Sequence, residues 1–432
     1  MQEDCASLAW LNYQIGDPNQ LRPADSNTNP AVIRTGVNKR GMLALRYIVA
    51  ILGFLIVTMM LWDAFEVIIL PLRVTRPLRF ARFFYRFTWR LRSSPAQWIR
   101  DHKRRETYLS AFGPLSLLLL LSVWATGLVA GFAMLQWGLQ DRLNVAQKAA
   151  SFGTYLYLSG TTFFTLGLGD VTPLGRVGKL LVVVEAGLGF GFLAGLISYL
   201  PIIYQAFSRR EVSISLLDAR AGSPPTAAEL LRRNDGDMSG LCQLLGDWER
   251  WSAELLESHL SYPVLVFFRS QHANQSWLAA LTVILDVCAL IIAGIDGGPA
   301  RQAHLTFAKA RHVAAELAQV FVSSPPAPEP DRLPASSLKA LRNALAETGV
   351  TVREGLATDQ KLWELRQMYE PYVQALSRYL LISLPPWFRV NVIPDSWQSS
   401  NWQALIPAVA TENGAIPASK VLATESITAN TL

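Results

Sequence analysis

The sequence predicts an all-α membrane protein whose C-terminal portion is a separate all-α domain. Apolar residues make up 51% of the 432 residues and charged residues only 17%, against roughly 25% charged in ordinary soluble domains. The imbalance concentrates before residue 208, where long uncharged runs alternate with a block of arginines. From 208 onward charge returns and apolar residues recur at helical spacing.

Residues 1–42 are polar, rich in Asn, Pro and Asp, and are expected to be poorly ordered. A first membrane helix is expected over 43–71. Its apolar run, Tyr47 to Leu70, is interrupted by Asp63 and Glu66 and closed by Pro71. Both acids share one helical face. They read either as partners of nearby arginines or as a cation-binding or proton-sensing pair.

Residues 72–107 hold eleven Lys or Arg against two acids. Arg73, Arg76, Arg79, Arg82, Arg86 and Arg90 recur every three or four positions, interleaved with Phe80, Phe83, Phe84, Phe87 and Trp89. The ladder is similar to that of a voltage-sensor helix, but a single span precedes it and Pro77 breaks it. The favoured reading is a basic amphipathic segment lying on the membrane, with anionic lipids as partners of Arg73 to Arg105. The same argument takes the net charge of +6 away from nucleic acid, since the positive residues sit between apolar runs.

Tyr108 to Trp137 carries no charge over thirty residues, enough for a tilted helix across about 30 Å of hydrocarbon. Leu180 to Phe207 is a further span with a single charge, Glu185. An ionisable group inside a span is a functional hypothesis by default: Glu185 either faces a pore or braces it from behind. Between the two spans, Ala149 to Thr162 fits a short helix, followed by Thr165-Leu166-Gly167-Leu168-Gly169-Asp170. Replacing the water shell of an alkali cation takes rings of carbonyl oxygens, turned inward by unusual φ/ψ at alternate residues, which glycine permits. Thr165 adds a hydroxyl at the inner mouth. Asp170 concentrates cations at the outer one, and Thr161, Thr162 and Phe164 belong to the pore-helix end.

In this order of outer helix, pore helix, filter and inner helix, residues 108–207 resemble the pore domain of bacterial two-span potassium channels. An extra N-terminal span precedes them. The family filter Thr-Val-Gly-Tyr-Gly-Asp maps onto Thr165, Leu166, Gly167, Leu168, Gly169 and Asp170. The Gly-Leu-Gly core also looks like the second pore loop of animal two-pore-domain potassium channels. Leu168 lacks the tyrosine hydroxyl that ties the family's filter to its pore helix, and Tyr157 and Leu158 replace a tryptophan pair. The resemblance implies a homotetramer passing K+ on backbone carbonyls, with no other cofactor. It also implies an inner-helix hinge, here among Gly187, Gly189 and Gly191; glycine at four-residue spacing is equally a packing device. A weakly selective cation channel and a non-conducting membrane receptor are the competing readings. An enzyme is disfavoured, because no nucleophile–base arrangement is visible.

Positive charge places the 72–107 block and Arg209 and Arg210 in the cytoplasm and the 138–179 loop outside. The expected location is thus a bacterial inner membrane, crossed several times. Residues 208–390 form the expected cytosolic helical domain, with a Pro-rich linker near 323–337 and a disordered tail over 391–432. Within it Leu278 to Ile295 is almost wholly apolar around Asp286; a buried core helix is favoured over a span. His259, His272, His304 and His312 lack metal-ligand spacing, and Cys5, Cys242 and Cys288 support no disulfide framework.

Overall fold

The computed structural model describes residues 30–70, 80–140, 142–145, 150–234, 237–270, 275–322 and 330–389, with side chains of the first helix described from residue 42. Arg73, Arg76, Arg79, Pro77, Cys5, His272, residues 323–329 of the Pro-rich linker and the tail over 391–432 lie outside these residues.

The first helix, α1, runs Pro30–Ile68 and so begins inside the stretch read as a polar tail. Once an apolar span has met the cost of nucleation, propagation into flanking polar residues is easy. α2 (Phe80–Ala96) and α3 (His102–Ser110) follow. α4 (Phe112–Gly138) then returns antiparallel to α1. Small residues let the two backbones meet: a Cβ on Gly53 would stand 2.6 Å from the carbonyl oxygen of Gly131, and one on Gly138 would stand 2.6 Å from that of Arg46. Gly127 and Gly131, four residues apart, form the small-residue stripe of α4 that makes this approach possible.

Asp63 is the fastening point of this layer. Its Oδ2 accepts from Trp124 Nε1 at 2.9 Å and its Oδ1 from the Ala81 amide at 3.2 Å. One buried carboxylate thus joins α1 to α4 and satisfies an orphan amide at the start of α2. Glu66 accepts from Trp62 Nε1 at 2.9 Å. α2 buries Ala81, Phe84 and Trp89, while Phe83, Phe87 and Leu91 form an exposed apolar stripe beside Arg82 and Arg90.

After α4 come β1 (Leu143–Asn144), α5 (Phe152–Phe163) and β2 (Thr172–Pro173), with β1 and β2 paired antiparallel. α6, Arg176–Ala221, is a single 46-residue helix through Pro201. At 1.5 Å per residue it is about 70 Å long, more than twice the roughly 30 Å of hydrocarbon. Its end therefore enters the C-terminal domain, where Ile214, Leu217 and Ala221 are buried.

That domain is built from α7 (Ala227–Arg233), α8 (Met238–Ser261), α9 (Trp277–Gly294), α10 (Ala300–Phe321), α11 (Ala335–Ala346), α12 (Leu356–Gln367) and α13 (Glu370–Leu380). Among the described residues four helices are long and apolar enough to cross a membrane, but every residue of α9 is buried within the domain. Asp286 at its centre accepts from both Arg332 guanidinium nitrogens (3.1 and 2.8 Å) and from the Tyr369 hydroxyl (2.6 Å). Arg332 lies in the stretch read as a linker, and its neighbour Leu333 is buried. Arg332 and Leu333 of that stretch thus pack into the core, where Arg332 is the partner that a buried carboxylate requires.

The end of α6 is held by Arg210, which is buried and donates to the carbonyls of Leu265 (3.0 Å) and Phe268 (2.8 Å). Its Nη1 also faces His259 Nε2 at 3.2 Å, and His259 Nδ1 lies 2.8 Å from the Leu255 carbonyl. Arginine only donates, so Nε2 accepts and Nδ1–H donates. Burial, and secondarily the Arg210 charge, hold the His259 imidazole well below its ordinary titration range. Unfolded, His259 binds a proton below about pH 6.5; folded, it does not. Stability should therefore fall with acidification below that point, by up to about 1.4 kcal/mol per pH unit. Thermal melts at neutral pH and in mild acid check this, and His259→Gln is expected to flatten the difference.

Candidate functional site

α5 starts at a capping box in which Ser151 and Thr154 satisfy each other's backbone amides. Thr161 and Thr162 sit in its last turn; Phe164 lies just past its end, exposed, as the C-cap. The chain then leaves the helix with the Leu166 amide donating to the Thr161 carbonyl at 2.8 Å.

From there φ alternates in sign. Thr165 (+57°), Gly167 (+55°) and Gly169 (+77°) are left-handed, whereas Leu166 and Leu168 are not. In an extended chain of one handedness successive carbonyls point to opposite sides. Alternation of this kind turns them to the same side. Thr165 adopts the left-handed region without glycine's freedom, at a cost of order 1–3 kcal/mol. The stretch from Phe164 to Asp170 is exposed, Leu166 at 61% and Leu168 at 63%.

Three contacts hold this stretch in place. The Tyr157 hydroxyl donates to Asp170 Oδ2 at 2.9 Å, so α5 grips the outer end. The β1–β2 pair, extended by the Leu174 amide donating to the Arg142 carbonyl at 2.8 Å, closes the outer rim. On the inner side α6 lies directly on α5: a Cβ on Gly189 would stand 2.0 Å from the Phe163 carbonyl oxygen. Gly187 and Gly191 meet nothing within 4 Å in the same chain. Of the three glycines, then, Gly189 is a packing residue, and α6 shows no break at any of them.

Glu185 is wholly buried behind the stretch. Its Oε2 accepts from Gln136 Nε2 of α4 at 3.1 Å, and its Oε1 contacts the Ser159 hydroxyl of α5. Of the two roles open to it in the sequence, this geometry is the bracing one. Asp63 of α1, bonded to Trp124 at the middle of α4, lies apart from this cluster, as does Glu66. Sequence reasoning passed over Tyr157, Ser159 and Gln136 as functional residues. Gln136 could have been found, since it is the one amide in the charge-free run from Tyr108 to Trp137.

A family model described as ion channel matches residues 118–206, a segment that begins inside α4 and ends inside α6. The uncharacterized membrane protein YdjJ of Bacillus subtilis (strain 168) is 25% identical over 288 residues, covering 64% of this chain and 80% of that protein. No solved structure matches. The chain is a multi-pass membrane protein, and its residues 118–206 are similar to an ion-channel pore domain.

Proposed function

We propose that four copies of this chain surround one axis and pass K+ passively through a filter made by the carbonyls of Thr165, Leu166, Gly167, Leu168 and Gly169. The observation that carries this reading is the alternating sign of φ at residues 165, 167 and 169 in a segment held between two spans. A single copy leaves that segment exposed, along with Phe190 (68%) and Ile197 (65%) of α6. Four subunits facing inward would cover both, and a complete ring of carbonyls requires them. Asp170, gripped by Tyr157, stands at the outer mouth.

In this reading residues 208–390 form a cytosolic regulatory domain. α2 lies on the inner leaflet of a bacterial cell membrane, its Phe83, Phe87 and Leu91 in the headgroup layer and its arginines on anionic lipid. Leu168 leaves a second reading open, a weakly selective cation pore, because no hydroxyl at that position braces the filter.

Potassium flux from purified protein in liposomes tests the proposal, with reversal potentials in mixed Na+ and K+ separating the two readings. Gly167→Ala forces an L-residue into the left-handed region at about 1–2 kcal/mol per subunit. Felt by every subunit of a tetramer, that should lower flux by more than about tenfold. Protein that passes no cation, or that is monomeric in detergent and in lipid, would overturn the proposal in favour of a non-conducting receptor.

A further inference from the structure

The contacts of Ser159 fix where a hydrogen must be. Its hydroxyl oxygen lies 2.7 Å from the backbone carbonyl of Val129 on α4 and also touches Glu185 Oε1. Ser159 and Glu185 are both fully buried. A serine hydroxyl has one hydrogen, and a carbonyl can only accept. If Ser159 donates to Val129, the hydrogen between Ser159 and Glu185 belongs to Glu185. If instead it donates to Glu185, two lone pairs oppose each other at the Val129 carbonyl. Only a carboxylic acid at 185 gives every contact a hydrogen.

The surroundings agree. α4 and α5 contain no Asp, Glu, Lys, Arg or His. Their titratable groups are Tyr155 and Tyr157, the latter engaged with Asp170. Arg46 of α1 stacks over the Trp137 ring, 5.8 Å from its centroid. Arg176 and Lys179 lie more than a turn away along α6 itself. Among the described residues no cation is placed to hold a carboxylate at this position.

Geometry shows what the acid does. Glu185 and Gly189 are one turn apart on α6, and they meet Ser159 and Phe163, one turn apart on α5. One turn of the inner helix is thus laid against the last turn of the pore helix, two residues before Thr165. We propose that Glu185 is a positioning residue for the filter: as an uncharged acid donating to Ser159, it makes the pore helix follow the inner helix. The inference rests on the channel reading and assigns the means by which the inner helix reaches the filter.

The test compares full-length parent protein, Glu185→Gln and Glu185→Ala in liposomes. Infrared difference spectra of parent against Glu185→Gln at neutral pH should contain the carbonyl band of a carboxylic acid. Glutamine supplies an N–H to Ser159, so its K+ flux and K+/Na+ ratio should stay within about twofold of the parent. Alanine leaves the Ser159 oxygen without its donor and the Gln136 amide without its acceptor, and should lower the K+/Na+ ratio by about tenfold, the effect of one lost buried hydrogen bond. Carboxylate bands alone in the difference spectrum, or a glutamine variant as impaired as the alanine one, would overturn the assignment. Should the parent pass no ion, the channel reading fails while the infrared band still decides where the proton is.

Discussion

Gly189→Ala is expected to abolish conduction, lowering K+ flux by about a hundredfold or more, while the C-terminal domain keeps its fold. The new methyl would lie 2.0 Å from the Phe163 carbonyl oxygen, 2.8 Å from its carbonyl carbon and 3.1 Å from its Cα. All three are backbone atoms, so no rotamer change relieves the clash. Restoring an ordinary separation of about 3.5 Å requires α5 or α6 to move by more than 1 Å, roughly. Overpacking of this kind costs about 1–3 kcal/mol or more per site, and the displaced residue is two positions before Thr165 of the proposed filter. Gly187→Ala and Gly191→Ala are the controls, since a methyl at either meets nothing within 4 Å in the chain. Each should leave flux within about threefold, because an alanine in a helix gains up to about 1 kcal/mol over glycine. Flux assays with size-exclusion profiles separate the cases. If Gly191→Ala proves as damaging as Gly189→Ala, the hinge reading regains its ground.

Asp286→Ala is expected to destabilise the C-terminal domain by about 3–5 kcal/mol, the usual cost of breaking a buried ion pair from one side. Asp286 is fully buried and takes hydrogen bonds from Arg332 and Tyr369, whose hydroxyl burial keeps protonated and so available as a donor. Truncation strands the arginine, leaving it Glu370 at 3.4 Å and the Pro385 carbonyl at 2.9 Å. The double variant Asp286→Leu with Arg332→Met removes both charges and should recover most of the loss, since apolar replacements of a buried pair are often neutral or better. Denaturant unfolding of the full chain in detergent measures each step. A loss below about 1 kcal/mol for Asp286→Ala would show that α9 is not packed as described, and would favour a membrane-embedded helix.

The sequence showed most clearly where its signal was local. Three spans were legible because hydrocarbon thickness sets a minimum apolar length. The glycine-patterned loop was legible because alternate glycines between two such spans allow the carbonyls of one strand to face a single side. α9 was ambiguous for the opposite reason. An apolar run of that length fits a membrane or a core equally well, and the choice depends on Arg332, 46 residues away in the chain. For Glu185 the sequence offered a pore-facing and a bracing role without choosing between them, since Gln136 and Ser159 reach it from two other helices. The inner-helix glycines are alike in sequence, and only one of them lies against a backbone carbonyl. Residues 30–42 illustrate a further limit: composition marks where a helix is unnecessary, not where one stops.

By itself, then, the sequence determined that this chain enters a membrane more than once and carries a glycine-patterned loop between two of its crossings. Hydrophobic length and backbone freedom are properties of contiguous residues. Only the tertiary structure decided that Gly189 is a contact, that Asp286 belongs to a buried core and that Glu185 meets Ser159. Each of these depends on which distant groups lie within about 3 Å of one another, the range over which hydrogen bonds and clashes act. No pattern along the chain encodes that distance.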